Sequence, residues 1–194
     1  MVRIKEDGND MMKEDGNDMM KEDGNDMMKQ IFLAGGCFWG TEAYFSKLKG
    51  VTRTQCGYAN GTTENPTYEE VCRTDTGHAE TVLVEYDSSV ISTEKLLAEF
   101  FKTIDPTAKN RQGVDIGTQY RSGVYFSDDA DAPIINSFIN SRQEGYSKPI
   151  VTEVLPLRRF YPAEEYHQRY LDKNPNGYCH VDLSLISEED IKRT

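Results

Sequence analysis

Cys37 is the residue in this sequence best placed for chemistry. The apolar run Ile31-Phe32-Leu33-Ala34 ends in Gly35-Gly36, and a helix-like stretch opens directly after the cysteine. That order predicts a buried strand, a tight turn and a helix, with the thiol at the helix start. Free backbone N–H groups there stabilise an anion, so the thiol is expected to ionise readily and act as a nucleophile. An inert buried cysteine is the alternative. Phe38 and Trp39 follow, and Trp39 is the only tryptophan of the chain. Aromatic rings beside a thiol can form a pocket for a methyl or thioether group, or can simply pack a helix onto a core. Glu80 stands at the start of the apolar stretch 79–86. A glutamate in such surroundings has a raised pKa and can donate a proton near neutrality; an edge charge facing water is the alternative. The polar, glycine-rich segment 113–120 holds Asp115 and Tyr120. A tyrosine hydroxyl near a reacting oxygen can donate a hydrogen bond, whereas a turn-stabilising Asp115 and a packing Tyr120 are the plainer readings.

The elements that position these residues follow from pattern. Strands are expected at 31–34, 51–59, 79–86, 120–126 and 150–156. Helices are expected at 38–48, 93–103, 131–145 and 163–171. The helix at 93–103 carries the clearest signal. Ser92 or Thr93 caps it, and Leu96, Leu97, Phe100, Phe101 and Ile104 turn inward. Residues 60–66 and 107–119 read as loops, 68–72 as a short helical or extended piece, and the chain beyond 171 as an irregular tail. Strands and helices mix without strict alternation, which predicts an α+β fold with a mainly antiparallel sheet and helices on one face.

The sequence has 194 residues and a formal net charge of -11. Such acidity argues against non-specific nucleic-acid binding, which needs a basic footprint. The four cysteines, Cys37, Cys56, Cys72 and Cys179, lack the short spacings of a zinc site or a C-x-x-C motif, and are too sparse for a disulfide scaffold. A reducing, cytoplasmic setting is expected, with no secretory signal and no membrane span. No metal, flavin or nucleotide motif is present, so no cofactor is expected.

Lys-Glu-Asp-Gly-Asn-Asp-Met-Met occurs three times, at 5–12, 13–20 and 21–28. Its charge and its Gly, Asn and Asp content predict a flexible acidic tail over 1–29, ahead of a single catalytic domain over 30–194. The seven methionines are Met1 and the six of the repeat. They could serve as a built-in substrate or oxidant sink, or be a duplication without function. Copper(I) or calcium capture by the repeat is a binding-protein alternative, though the calcium-loop spacing is incomplete.

Several segments occur together and in order. They are Gly-Cys-Phe-Trp-Gly at 36–40, Asn-Pro-Thr-Tyr at 65–68, Gly-His-Ala-Glu at 77–80, Asp-Pro-Thr at 105–107 and Arg-Gln-Gly-Val-Asp at 111–115. Gln-Tyr-Arg-Ser at 119–122, Ala-Glu-Glu-Tyr-His-Gln at 163–168 and Lys-Asn-Pro-Asn-Gly-Tyr-Cys at 173–179 complete the set. Over residues 30–183 the chain resembles the A-type peptide methionine sulfoxide reductases. The resemblance implies a two-layer α/β plait related to the ferredoxin-like arrangement. It places the nucleophile on Cys37, the sulfoxide-oxygen cluster on Glu80, Tyr68, Tyr120 and Asp115, and the methyl-binding aromatics on Phe38 and Trp39. The resolving cysteine falls on Cys179. The implied activity is reduction of methionine-S-sulfoxide, free or in oxidised proteins, through a Cys37 sulfenic acid. Recycling by thioredoxin or a similar dithiol follows, with the enzyme acting as a monomer and without nucleic acid or membrane. The chain departs from relatives with two recycling cysteines, since Cys179 stands alone beyond residue 72. Cys56 is open as an alternative resolver, and Cys72 is expected to be buried. A thiol peroxidase is the competing enzyme class, using the same Cys37 and Cys179.

Overall fold

The computed structural model describes residues 27–192. The strands in chain order are β1 (Met28–Gly35), β2 (Val51–Ala59), β3 (Ala79–Asp87), β4 (Arg111–Gln112), β5 (Asp115–Ile116), β6 (Ser122–Phe126), β7 (Glu153–Pro156) and β8 (Phe160–Pro162). The α-helices are α1 (Phe38–Phe45), α2 (Tyr68–Arg73), α3 (Thr93–Thr103), α4 (Ala132–Arg142) and α5 (Tyr170–Lys173). Six strands form one sheet in the order β7-β6-β1-β3-β2-β8. Every pairing in it is antiparallel except β6 with β7. The fold is mixed α/β with a mainly antiparallel sheet.

Alternation along β1 and β3 sorts the two faces. Ile31 and Leu33 on β1, and Val82, Val84 and Tyr86 on β3, point into the main core. Phe45 of α1, Leu96, Leu97 and Phe100 of α3, and Ile135 and Phe138 of α4 close that core from the helix side. Phe32, Ala34, Ala59, Ala79, Leu83 and Tyr125 form a smaller cluster, with Leu157 and Phe160 packed on it. The same alternation puts Glu80 on the helix side of β3, directly opposite Tyr58 of β2. Helix α3 starts as its pattern predicts, with the Ser92 hydroxyl accepting the Lys95 N–H at 3.2 Å.

Several boundaries differ from expectation for physical reasons. β1 begins at Met28, three residues early, because it pairs with β3 as far as Asp87. Lys29 there binds Asp131 at 2.7 Å. Of the flexible tail expected over 1–29, Met28 and Lys29 belong to β1, while residues 1–26, with most of the repeat, lie outside the described residues. Helix α1 stops at Phe45 rather than 48. The loop over 107–119 contains the small β4–β5 hairpin, turning at Gly113 with φ +57°. The strand expected from 120 starts at Ser122, because Thr118–Tyr120 form a 3₁₀ turn. Helix α4 ends at Arg142 and 143–145 are a 3₁₀ turn; the strand expected from 150 begins at Glu153.

The helix expected over 163–171 is replaced by a 3₁₀ turn at Glu165–His167 and the short α5. Arg169 divides them with φ +54°. Its N–H donates to the buried Glu42 carboxylate at 2.7 Å, a long-range contact that holds a left-handed residue where local pattern favours a helix.

Candidate active site

Three segments converge on Cys37. The turn from β1 into α1 is made by Gly36, whose φ is +82°. A Cβ there would stand 2.7 Å from Gln112 Cβ, so both conformation and space require glycine. Gln112 is itself fixed, its Oε1 accepting the Asp105 N–H at 2.8 Å and its Nε2 donating to the Asp105 carbonyl at 2.9 Å. Cys37 occupies the N-cap position of α1 and is 8% exposed.

The thiol does not behave as its place at a helix start predicts. Burial, followed by the nearby Glu80 carboxylate and Asp115, pushes it well above the ordinary cysteine range, and the Trp39 and Gly40 N–H groups only partly offset this. The expected easy ionisation is therefore corrected. In the resting protein Cys37 is a thiol, because desolvation outweighs the N–H groups of an eight-residue helix.

Glu80 is 1% exposed. Its Oε2 accepts the Phe38 N–H at 3.0 Å, which ties the acid to the helix start that carries Cys37. Its Oε1 has no partner among the described residues. Burial pushes this carboxyl up to about 8; the Phe38 N–H opposes the shift and Asp115 adds to it. Glu80 is thus a neutral acid at pH 7 with one free oxygen site.

Tyr68, first residue of α2, and Tyr120, last of the 3₁₀ turn, face each other and Glu80. Burial raises both phenols, Glu80 raises them further, and both remain donors. Glu164 steadies Tyr68 by accepting its N–H at 2.8 Å and the Tyr58 hydroxyl at 2.7 Å. Arg121 steadies Tyr120. It donates to the Gly77 carbonyl at 3.0 Å and the Thr118 carbonyl at 2.9 Å, joining the 3₁₀ turn to the approach of β3.

Phe38 is buried between Tyr58 and His167, with ring centroids at 5.9 and 4.9 Å. Trp39 is half-buried and stacked on Tyr170 at 3.7 Å with an interplanar angle of 12°. Its indole N–H donates to His167 Nδ1 at 3.0 Å. Asp115 Oδ2 accepts the Tyr178 hydroxyl at 2.8 Å, and its carboxylate stands near enough to Cys37 and Glu80 to raise both.

The tail beyond α5 is irregular but docked. Tyr178 binds Asp115, and His180 Nε2 donates to the Gly35 carbonyl at 2.9 Å. This carries Cys179 onto α1, where its Sγ lies 3.2 Å from the position a Cβ on Gly40 would take. Cys179 is half-buried and not bonded to another cysteine. Cys56 is fully buried beside the Phe38 carbonyl and the Glu42 carboxylate, which with burial raise its thiol. Cys72, expected to be buried, is half-buried, and its thiol meets the Tyr68 and Tyr120 hydroxyls.

Sequence reasoning assigned no role to His167, Tyr170 or Tyr178. His167 and Tyr178 stood inside the quoted segments 163–168 and 173–179, but no spacing linked them to Trp39 or Asp115.

A thiol at a helix start beside a buried acid with a raised pKa is a pairing suited to the chemistry of a thiol oxidoreductase. Residues 29–194 match the peptide methionine sulfoxide reductase family. The peptide methionine sulfoxide reductase MsrA of Clostridium acetobutylicum is 56% identical over 159 residues, covering 82% of this chain and 98% of the relative. Among solved structures, reduced Mxr1 from Saccharomyces cerevisiae is similar with a TM-score of 0.77 and 41% identity, over 80% of this chain and 92% of Mxr1. Mxr1 in complex with Trx2 is similar with a TM-score of 0.54 and 29% identity, over 79% and 91% of the two chains. The chain belongs to the peptide methionine sulfoxide reductases of the A type, oxidoreductases that act on methionine sulfoxide.

Proposed function

We propose that the protein reduces the S epimer of methionine sulfoxide, free or within polypeptides, with Cys37 as nucleophile, Cys179 as resolving thiol and a thioredoxin-like dithiol as reductant. One observation carries the reading. Glu80 is held against the Cys37 helix start by one oxygen while its other, protonatable oxygen has no partner among the described residues.

A sulfoxide sulfur becomes a good electrophile only when its oxygen is protonated or strongly hydrogen-bonded. Neutral Glu80 gives its proton to that oxygen, and the Tyr68 and Tyr120 hydroxyls donate hydrogen bonds to it. The Cys37 sulfur attacks as its own proton passes to the Glu80 carboxylate. The hydroxyl of this adduct then moves to the Cys37 sulfur as the new S–S bond breaks with its electron pair left on methionine sulfur, so Glu80 ends as it began, one molecule of methionine leaves, and Cys37 is a sulfenic acid. Asp115 contributes through Tyr178, holding the segment that brings Cys179 to α1. The Cys179 sulfur attacks the Cys37 sulfenic acid sulfur and its thiol proton goes to the departing hydroxyl, so water leaves and a disulfide forms. A dithiol then reduces this disulfide by exchange. Crystallisation of Mxr1 with Trx2 supports a thioredoxin in that role. Phe38 and the edge of Trp39 supply the apolar wall for the S-methyl group.

The strand order β6-β1-β3-β2, with α1 and α3 as crossovers on one side, supports a ferredoxin-like two-layer plait. No described helix is long and apolar enough to cross a membrane.

Thioredoxin-coupled assay of resolved S and R methionine sulfoxide tests the reading, with turnover expected on S alone. Comparable turnover of R would overturn it. A second prediction concerns resolution. Gly40→Ala places a methyl 3.0 Å from Val181 Cγ2 and 3.2 Å from Cys179 Sγ, so the tail must shift. Release of the first methionine should be unchanged, while disulfide formation slows about three- to tenfold, roughly 1 kcal/mol of crowding. Stopped-flow titration of free thiols after one equivalent of substrate reads the two steps apart.

A further inference from the structure

His167 lies at the centre of the aromatic wall and is 1% exposed. Its ring centroid is 4.6 Å from Tyr68, 4.9 Å from Phe38, 5.7 Å from Trp39 and 4.0 Å from Tyr166. The Trp39 contact is directional. An indole nitrogen can only donate, so the Nδ1 that receives it at 3.0 Å must present a lone pair. A neutral imidazole then carries its proton on Nε2. That atom is buried and has no hydrogen-bond partner among the described residues. The closest carboxylate oxygen is Glu164 Oε2 at 3.9 Å, beyond hydrogen-bond reach, and Glu164 is already engaged by Tyr58 and Tyr68.

The stack on Tyr170 sets the tilt of the indole plane, and the hydrogen bond to His167 fixes where the ring edge lies within it. His167 is in turn held by the 3₁₀ turn it closes and by Gln168. The Gln168 side chain accepts the Cys56 N–H at 2.8 Å and donates to the Cys56 carbonyl at 2.9 Å, pinning the segment to β2.

We propose that His167 is a positioning and specificity-determining residue: a neutral, Nε2-protonated imidazole that locks the indole of Trp39 edge-on to the hollow, so that the wall fits an S-methyl group and rejects a larger one. The proposal rests on the assignment of Trp39 to the substrate wall. A pocket defined by one ring edge discriminates by small displacements, and about tenfold in affinity for one lost buried hydrogen bond is the natural scale.

The test uses His167→Leu, which removes the acceptor, His167→Asn, whose Oδ1 can stand where Nδ1 stands, and Trp39→Phe, which removes the donor. Trp39 is the only tryptophan, so intrinsic fluorescence reports on this ring alone. His167→Leu should raise KM for a methionine sulfoxide peptide about tenfold with kcat reduced less than about threefold, narrow the preference for S-methyl over S-ethyl sulfoxide, and shift the Trp39 emission. His167→Asn should restore all three toward wild type. In the Trp39→Phe background, His167→Leu should add nothing further to KM. His167→Leu with wild-type KM and emission, or with an undiminished KM effect in the Trp39→Phe background, overturns the role of His167. Trp39→Phe with wild-type KM overturns the wall assignment itself and the specificity role with it. Should His167→Leu fail to fold, His167→Asn and His167→Gln carry the same comparison, since only asparagine offers an acceptor at the Nδ1 position.

Discussion

Replacing Cys37 by serine is expected to abolish methionine sulfoxide reduction, with a loss of roughly 10⁴-fold or more that includes the first turnover. The oxygen leaving the substrate must be accepted by an atom that can form a bond to it and later surrender it to a thiol. Sulfur does both through a sulfenic acid, and a serine oxygen does neither. Cys179→Ser should behave differently. It should release one methionine per enzyme and then stop, with the thioredoxin system unable to sustain turnover. Cys56→Ser should stay near wild type, because the Cys56 sulfur is fully buried against the Phe38 carbonyl and Glu42, whereas Cys179 is half-buried on the tail that lies on α1. Counting methionine per active site with and without thioredoxin separates these outcomes. Sustained turnover by Cys179→Ser would transfer resolution to another thiol, with half-buried Cys72, beside Tyr68 and Tyr120, the first to examine.

The raised thiol of Cys37 bears on the choice between a sulfoxide reductase and a thiol peroxidase. A peroxidase depends on a resting thiolate to meet hydroperoxide, since the thiolate is the nucleophile. Here the resting sulfur carries a proton and lies in a nearly closed site. In the proposed mechanism ionisation is coupled instead to proton donation from Glu80, so the sulfur becomes nucleophilic when a substrate oxygen takes the acid's proton. That order of events favours a substrate with a basic oxygen, which a sulfoxide has.

How much of this was legible in the sequence depends on the range of the contacts. β3 and α3 were readable because their side-chain periods of two and about 3.6 are set within the element and match what it buries. Cys37 and Glu80 were readable because each sits at the mouth of such an element. Tyr120 was assigned to a strand, and its 3₁₀ turn depends on Arg121 reaching Gly77, 44 residues away. The broken helix at 165–173 depends on Glu42, 127 residues from Arg169. The docking of the tail depends on Asp115 meeting Tyr178. Each of these is a side-chain to distant-backbone or side-chain to side-chain bond, and no local periodicity encodes it. The helix-start argument for Cys37 failed for a related reason, because the desolvation that decides its ionisation comes from residues remote in sequence.

Glu80→Gln isolates the acid at nearly constant shape. Glutamine can still accept the Phe38 N–H and can donate a hydrogen bond, but it cannot deliver a proton. The chemical step should therefore fall about 10²- to 10⁴-fold, the usual worth of a positioned general acid. With Glu80 titrating near 8, wild-type single-turnover rates should decline as pH rises through that value, and the variant should lose this limb. The substitution should move stability the opposite way from rate. In the folded protein the carboxyl keeps its proton up to about 8, whereas in the unfolded chain it loses it near 4.5. Between those values the folded state binds the extra proton, so this group's contribution is full below about 4.5 and is lost progressively up to about 8. Glutamine never ionises, and the variant should be more stable than wild type by on the order of 5 kcal/mol at pH 8.5 while differing little at pH 4.5. Urea unfolding at the two pH values measures this, and rapid-quench methionine release measures the rate. A variant that keeps the limb near pH 8, or gains no stability there, would show that a different group supplies the proton and that Glu80 is charged in the folded protein.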